Sequence, residues 1–362
     1  MVDVFLLLCI VLKTDFSNCT LTGAVLHYRN RIYIRIINMD IKYILNQFGI
    51  NETPISVTKI TSGHINSTFL AELINRKIVI QSLNRDIFKN CADIMYNIRI
   101  INNIFEKHPE SDVKAVEFYK ALSGLNFIEH NNCIYRICDY IDSEKNNSPL
   151  YTGYAYGKFI DVINKSSDNA DCFRTTIQDF HNYSAYFQKL INHPDCSLIS
   201  RITLMRLSSL ENVLSMTFNS NLTKRITHND AKADNIIAGN TLTVIDLDTV
   251  MSGWIALDYG DTVRSFTAAS LDLDTIRLIT EGYAKGLENL LSSDEIFSLY
   301  YGILYVTAEL AVRYYCDYIG ATHYFTTKTQ DMCLERADTL IDQLNFFLRY
   351  EKYIKQIIRN CF

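Results

Sequence analysis

Between residues 55 and 141 the chain carries short runs of alternating apolar and polar residues, a pattern typical of β-strands. The first three runs are joined by tight turns, which predicts an antiparallel meander. One stretch, 93–107, has apolar residues at helical spacing instead and predicts an amphipathic helix. The predicted strands are 55–60, 68–74, 78–83, 113–119 and 133–141.

Helical spacing dominates the chain from residue 151 onward. Two short strand-like runs interrupt it, RITH at 225–228 and LTVIDLD at 242–248. The segment 143–150 is polar and contains Pro149, which favours a hinge. The predicted helices, including one before the sheet, are 40–49, 151–165, 171–191, 201–218, 272–291 and 293–350.

These patterns predict an α+β protein with two lobes. A small antiparallel sheet with one helix forms the N-lobe at 39–142, and the hinge follows at 143–150. A larger, mostly helical C-lobe covers 151–362. The length of 362 residues is sufficient for two domains.

Residues 1–38 fit neither pattern, and we expect them to form an extension outside the fold. Their apolar run at 2–12 is shorter than the roughly 20 residues that a membrane-spanning helix needs. Asp3 stands where a secretory signal has basic residues, and no clear cleavage site of small residues follows. An over-long start assignment, with Met39 as the true start, is the preferred interpretation, and a secretory signal is the alternative.

Composition narrows the expected partners and compartment. The formal net charge is −5 and no long basic run is present, so neither nucleic acid nor an anionic membrane is expected as a partner. The 10 cysteines are scattered and form no CxxC pair, which suits neither a zinc ribbon nor a short disulfide scaffold. Such cysteines are typical of a reduced, cytoplasmic protein, and we expect a monomer or a homodimer.

Carboxylates and amides are concentrated in RITHNDAKADNIIAGNTLTVIDLDT, residues 225–249. Asp246 and Asp248 alternate at the end of a predicted strand, so their side chains are expected on one face. With Asn235 they offer oxygen ligands that suit Mg²⁺, which commonly binds one or two carboxylates together with substrate phosphates. Asp230 is then available to accept a proton from a nucleophilic hydroxyl.

The spacing of these residues matches the catalytic loop of enzymes that transfer phosphoryl groups. A hydrophobic-D-x-D strand follows the loop. In phosphoryl-transfer enzymes an Asp downstream of the catalytic loop binds the metal. Asp234 has no role in this scheme and is expected to be a solvated loop residue. The pattern H-x-D-x-K-x-x-N is met at His228, Asp230, Lys232 and Asn235.

At this point the chain resembles the aminoglycoside phosphotransferase and choline kinase-like family, small-molecule kinases with a bilobal protein-kinase-like fold. The resemblance extends over residues 40–350 and is greatest to the N-acetylhexosamine 1-kinase branch. The segments that carry it are INSTF (65–69), IQSLNRDIFKN (80–90), FHN (180–182), THNDAKADNII (227–237), VIDLDTVMSGWIALDYGDTVRS (244–265) and ELAVRYYCDYIGATHYF (309–325).

The resemblance implies an ATP-dependent kinase that uses Mg²⁺. It makes Asp230 the catalytic base and Lys232 the cation beside the transferring phosphoryl group. It makes Asn235 and Asp246 the Mg²⁺ ligands, and it implies that Asp248 binds a second metal or the substrate. The residues implied for nucleotide binding are Gly63, His64, Asn66, Thr68 and Gln81. Those implied for substrate binding are His181, Asp248, Arg264, Arg313 and Tyr324.

The chain departs from the common kinase pattern in two places. The turn that covers the phosphates has a single glycine, Gly63. The third strand has Gln81 where many kinases have a phosphate-binding lysine, and a charge-assisted hydrogen bond of that kind is worth about 1.5–3 kcal/mol. Compensation by Lys232 and Mg²⁺ is the preferred explanation. A weaker ATP clamp and a pseudokinase are the alternatives.

Structural interpretations compete with these functional ones. His228 is expected to be a buried scaffold histidine, and Asp258 a member of a salt-bridged helix start with Asp261 and Arg264. The remaining candidates and their structural interpretations are His181 and Asn182 facing solvent, Arg313, Tyr314 and Asp317 forming a surface ion pair, and Tyr300, Tyr301 and Tyr305 packing in the core.

The leading hypothesis is phosphorylation of a hydroxyl of a small metabolite, with a sugar or an N-acetylhexosamine (at its anomeric 1-OH) as the acceptor. An aminoglycoside or choline-type kinase is the alternative within the same class. A pseudokinase that binds nucleotide or sugar is the alternative from another class. A metal hydrolase of the D-x-D type leaves the spacing between Asp230 and Asn235 unexplained.

Overall fold

The computed structural model describes residues 40–60, 66–85, 87–142, 148–166, 172–325 and 329–362. The predicted extension, 1–38, and the predicted nucleotide-binding residues Gly63 and His64 lie outside these stretches. The described chain divides into two compact units, one ending at Thr53 and one beginning at Pro54. Helix α1, residues 40–47, belongs to the first unit.

The elements of the second unit follow the predicted sequence of a sheet region and a helical region. Its strands are β1 (Ser56–Ile60), β2 (Ser67–Glu72), β3 (Lys77–Leu83), β4 (Val113–Ala115), β5 (Ile128–His130), β6 (Cys133–Asp139), β7 (Arg225–Thr227), β8 (Ile236–Ala238), β9 (Leu242–Val244) and β10 (Met251–Gly253). Its helices are α2 (Cys91–Glu106), α3 (Pro149–Ser166), α4 (Tyr183–Ile191), α5 (Arg201–Thr217), α6 (Ile255–Thr267), α7 (Leu273–Leu287), α8 (Ser293–Tyr318), α9 (Gln330–Arg349) and α10 (Glu351–Cys361).

Five of the strands form an antiparallel sheet in the order β1–β2–β3–β6–β5. The predicted meander of the first three strands is confirmed. Gln81, at the centre of the sheet, pairs with Thr68 on β2 and with Arg136 on β6. Helix α2 buries Ile94, Ile98 and Ile101, the residues whose spacing predicted it.

The strand predicted at 113–119 does not belong to this sheet. Only Val113–Ala115 is a strand, and it pairs in parallel with β9. Alternation along the sequence identifies a strand but not its partner, so this pairing could not be predicted from the run itself. The two predicted strands of the acidic segment do not pair with each other either, because β7 pairs with β10 and β9 pairs with β8.

Helix boundaries differ from the prediction at three places. Helix α3 begins at Pro149, inside the predicted hinge, of which residues 143–147 lie outside the described stretches. The helix predicted at 171–191 begins only at Tyr183, after the N-cap Asn182. The long helical segment at 293–350 is two helices, and the first ends just before Gly320, whose φ is +77°.

Close packing between α3 and α7 fixes the helix that supports the site. A methyl group on Gly282 would lie 2.0 Å from the carbonyl oxygen of Leu150, so no side chain fits there. The neighbouring Tyr156 of α3 is fully buried and donates its hydroxyl to the carbonyl of Lys232, at 2.8 Å. The helix contact therefore positions the loop that contains Lys232.

Among the described residues, one helix is long and apolar enough to cross a membrane by length and composition alone, and it is α8. Most of its apolar stretch is buried inside the protein. Tyr300 and Tyr305 are buried members of this helix, which confirms that they pack in the core.

Candidate active site

The loop after β7 is held by a carboxylate on α6. Asp258 accepts hydrogen bonds from the main-chain nitrogens of His228 and Asn229, at 2.6 and 2.7 Å. Burial raises the pKa of Asp258 to about 7, although both N–H groups act in the opposite direction. The expected salt bridge to Arg264 is absent for Asp258, because Arg264 pairs with Asp261 at 2.6 Å.

His228 is a structural residue, as expected. Its ring is fully buried and lies edge-on to Tyr156. Its Nδ1 accepts from the main-chain nitrogen of Asp230, so its Nε2 is the atom that donates to the carbonyl of Ile245. Burial lowers the pKa of His228, which favours this neutral form.

Asn229 connects the loop to strand β10 and was not singled out in the sequence. Its φ is +63°, a region that Asn adopts more readily than most residues. Its amide nitrogen donates to the carbonyls of Thr227, Thr249 and Met251. Both the main chain and the side chain of Asn229, the residue before Asp230, are therefore held by hydrogen bonds.

Asp230, Lys232 and Asn235 meet in one hydrogen-bonded group. The Asp230 carboxylate lies 2.7 Å from the Lys232 ammonium and accepts from Asn235 Nδ2 at 3.2 Å. Burial opposes the charge of Lys232, but the carboxylates of Asp230 and Asp246 outweigh it and raise the Lys232 pKa. The side chain of Asp230 is 28% exposed, so it is open to a substrate hydroxyl. Asp234 is exposed, in agreement with a solvated position.

Asp246 lies beside Asn235, because the Ile245 nitrogen donates to the Asn235 carbonyl at 2.9 Å. Its φ of +58° is unusual for a residue other than glycine and turns the chain directly after β9. Burial and the nearby carboxylates of Asp248 and Asp230 raise the pKa of Asp246 to about 7. A bound divalent cation would offset this repulsion.

The donor atoms at this point suit the predicted Mg²⁺. Asn235 uses its amide nitrogen on Asp230, which leaves its oxygen for a cation, and Asp246 adds a carboxylate. Within the described stretches, no group of three or more His, Cys, Asp and Glu side chains is arranged to hold a metal. Mg²⁺ does not require three such side chains, because substrate phosphates and water can supply its other ligands.

Asp246 and Asp248 do not alternate along a strand as predicted, because neither residue lies on one. Strand β9 ends at Val244, and Asp248 lies in the 3₁₀ turn Leu247–Thr249. Both of its oxygens are occupied, one by Arg136 at 2.5 Å and the other by Asn66 Nδ2 at 2.7 Å. With its carboxylate buried and paired, Asp248 anchors the turn, and its metal or substrate role stays a prediction.

The described nucleotide-binding candidates lie on or directly before adjacent strands of the sheet. Gln81 Nε2 approaches Thr68 Oγ1 at 3.4 Å. Asn66 accepts from the main-chain nitrogen of Asn84 and donates to Asp248. The three predicted residues Asn66, Thr68 and Gln81 are thus brought into one network.

His181 is largely buried, with 16% of its side chain exposed, and joins the catalytic loop to helix α8. Its Nδ1 lies 2.7 Å from Glu309 Oε2, and its Nε2 lies 3.0 Å from the Asn229 carbonyl. Burial disfavours the imidazolium, but the Glu309 carboxylate outweighs burial and raises the pKa of His181. The interpretation of His181 as a solvent-facing residue was therefore wrong, while the neighbouring Asn182 is the N-cap of α4.

Arg313 lies on α8, one turn after Glu309, inside a group of aromatic rings. Its guanidinium carbon is 4.0 Å from the centre of the Tyr324 ring and 5.3 Å from that of Tyr186. The expected surface ion pair is absent, because Asp317 accepts from the main-chain nitrogens that follow α8 and Arg313 is buried. The predicted Arg313 and Tyr324 are therefore brought together, whereas Arg264 faces Asp261.

Three important residues were not predicted from the sequence, namely Asn229, Arg136 and Glu309. The signal for the last two was available, since each is a charged residue within an apolar run and requires a partner if buried. Arg136 is 1% exposed and Glu309 is 2% exposed. Their partners lie far away along the chain and become visible only in the fold.

Comparisons with known proteins agree with this geometry. Residues 203–287 match the model of a family described as "Phosphotransferase enzyme family". That stretch contains Asp230, Asn235 and Asp246. The match covers the predicted catalytic loop and agrees with the prediction of a phosphotransferase.

Solved structures of low sequence identity share the fold. An aminoglycoside phosphotransferase from Alicyclobacillus acidocaldarius aligns with a TM-score of 0.61 at 12% identity, over 88% of this chain and 96% of that one. A choline kinase from Cryptosporidium parvum aligns at 0.58 and 14% identity, over 91% and 97%. An amicoumacin kinase, solved with AMP-PNP and Ca²⁺, aligns at 0.56 and 12% identity, over 80% and 88%. The predicted kinase-like α+β fold is confirmed.

Proposed function

We propose that this protein transfers the γ-phosphoryl group of ATP to a hydroxyl of a small molecule, with a sugar or an N-acetylhexosamine as the acceptor. The observation that carries the proposal is the group formed by Asp230, Lys232 and Asn235, with Asp246 beside it. In this proposal Asp230 orients the acceptor hydroxyl and takes its proton. Lys232 offsets negative charge on the transferring phosphoryl group.

Asn235 and Asp246 would hold a divalent cation, proposed to be Mg²⁺, which would offset the negative charge of the nucleotide phosphates. The relative solved with AMP-PNP and Ca²⁺ supports the use of a nucleotide together with a divalent cation. Among the described residues no two cysteines form a disulfide, which is consistent with the proposed cytoplasmic location. The two-lobe division at 143–150 and the monomeric or homodimeric state stay predictions.

The proposed acceptor class is supported by the surroundings of His181. Among the described residues, Glu309 Oε1 and Arg313 Nε are buried atoms without a hydrogen-bond partner. An acceptor and a donor one helical turn apart suit a hydroxyl or an amide of a ligand. The rings of Tyr324 and Tyr186 beside Arg313 offer apolar surface for one side of a sugar ring.

A panel of acceptors tests this function. Purified protein would be incubated with ATP, Mg²⁺ and one of several compounds: N-acetylglucosamine, N-acetylgalactosamine, glucose, galactose, choline, ethanolamine or kanamycin. We expect ³¹P NMR to show a sugar 1-phosphate and ADP with an N-acetylhexosamine. Phosphorylation of only choline or kanamycin would support the alternative acceptor classes. MgATP binding without turnover of any acceptor would support a pseudokinase.

A further inference from the structure

We propose that Arg136 is a positioning residue that supplies, from strand β6, the cation that β3 lacks. It acts by holding Gln81 and Asp248, and through them the metal-binding turn that contains Asp246. The inference rests on the proposed function, because its consequence is the placement of a divalent cation beside the nucleotide.

The register of the sheet brings Arg136 to the position of the missing cation. Gln81 and Arg136 are directly opposite on neighbouring antiparallel strands, so both side chains lie on the same face. Arg136 Nε donates to Gln81 Oε1 at 2.9 Å. The positive charge therefore lies on β6, one strand away from the usual lysine position on β3. It contacts Gln81, the residue that occupies that position.

The environment of Arg136 favours a structural connection over direct contact with phosphate. The residue is 1% exposed, and its guanidinium lies over the ring of Phe118, 4.4 Å from the ring centre. Its Nη1 contacts the Asp248 carboxylate at 2.5 Å. A buried carboxylate and a buried guanidinium each require the other, because either one alone would be an uncompensated charge.

The network extends from the ion pair to Asn66, the residue directly before β2. Asn66 donates to the other oxygen of Asp248 and accepts from the main-chain nitrogen of Asn84. Asp248 is thus held by side chains from two directions. Strands β3 and β6 and the residue before β2 thus contribute to one hydrogen-bonded cluster that includes the buried carboxylate of Asp248.

The cluster fixes the geometry of the metal ligand. Asp246 is two residues before Asp248 and has a left-handed backbone, with a φ of +58°. Such a conformation persists only where the surroundings enforce it. With Asp248 anchored to the sheet, the carboxylate of Asp246 keeps its place relative to the strands that contain the nucleotide-binding candidates.

The test measures the affinity of Mn²⁺ for the ADP complex by electron paramagnetic resonance, which needs no knowledge of the acceptor. Arg136→Met is expected to weaken Mn²⁺ binding by about tenfold or more, the usual effect of removing a residue that orients a metal ligand. The affinity for ADP in EDTA should change by less than about threefold, because Arg136 does not touch the nucleotide in this account. Arg136→Lys keeps the charge and should give an intermediate Mn²⁺ affinity.

A charge relocated to β3 provides the rescue. The double variant Gln81→Lys/Arg136→Met places an ammonium beside Asp248 from the position that other kinases use. We expect it to restore Mn²⁺ affinity to within about threefold of the wild-type protein. This variant and Arg136→Lys keep the buried carboxylate paired, so they decide the question even if Arg136→Met does not fold.

Arg225→Met is the matched control. Arg225 also pairs with a buried carboxylate, that of Glu295 at 2.7 Å, but at the start of α8. The Arg225→Met change should lower Tm without changing the affinity for Mn²⁺. Unchanged Mn²⁺ affinity in Arg136→Met, or a double variant no better than the single one, would overturn the inference. A wild-type protein that binds no Mn²⁺ with ADP would overturn the proposed function, and the inference with it.

Discussion

At the scale of single residues, charge is retained in the interior only where a partner neutralises it. His181 illustrates this, because burial favours its neutral form while Glu309 favours the imidazolium and prevails. The orientation of the His181 ring is also fixed, because its other nitrogen contacts the Asn229 carbonyl. A buried ion pair of this kind stabilises the fold only while both groups are charged.

The His181 pair therefore predicts a pH dependence of stability. Its pKa is raised in the folded protein above the unfolded value of 6.5. The stabilisation is thus fully present below that value and is lost as the pH rises through the folded pKa. The difference in Tm between the wild type and His181→Gln should be largest near pH 6 and shrink toward pH 9.

His193→Gln serves as the control for this measurement. His193 is 3.9 Å from Asp195 at the surface, where an ion pair contributes little. Its Tm difference from the wild type should be small at every pH. A His181→Gln difference that stays constant across the range would contradict the account.

At the scale of elements, the catalytic loop is defined by what holds it from outside. The loop has little regular structure of its own, and α6 provides the acceptor for two of its main-chain nitrogens through Asp258. Strand β10 provides the Met251 carbonyl to the Asn229 amide. The position of Asp230 is thus set by a helix and a strand that come later in the sequence.

Asp258→Ala removes this support. Both main-chain donors, those of His228 and Asn229, are left buried without an acceptor, and each costs about 1–3 kcal/mol. We expect a loss of that order in the free energy of unfolding measured in urea, together with a lower kcat. The exposed Asp274, changed to Ala, should shift the free energy of unfolding by about 0.5 kcal/mol or less. Equal effects of the two changes would contradict the role of Asp258.

At the scale of the whole molecule, the sequence predicted the classes of element better than their connections. The meander, helix α2 and most helices of the second half follow from periodicity, because each buries one face. The placement of β4 and the pairing of β7 with β10 depend on contacts between distant segments. No local pattern contains that information.

The candidate site shows the same division. Asp230, Lys232 and Asn235 could be predicted because they lie on one short loop at a spacing that the chemistry requires. The pairing of Asp248 could not be predicted, because its partners Arg136 and Asn66 are 112 and 182 residues away along the chain. The lysine missing from β3 is thus balanced by a residue that only the fold brings near.

The central claim is that Asp230 performs the chemistry at a site that binds nucleotide independently of it. The most direct measurement compares the wild type with Asp230→Ala in two assays, phosphoryl transfer from ATP to the acceptor found in the panel and the rise in Tm caused by MgATP. We expect transfer to fall by about a thousandfold or more while the MgATP-induced rise in Tm is largely retained. Loss of both, or retention of both, would contradict the claim.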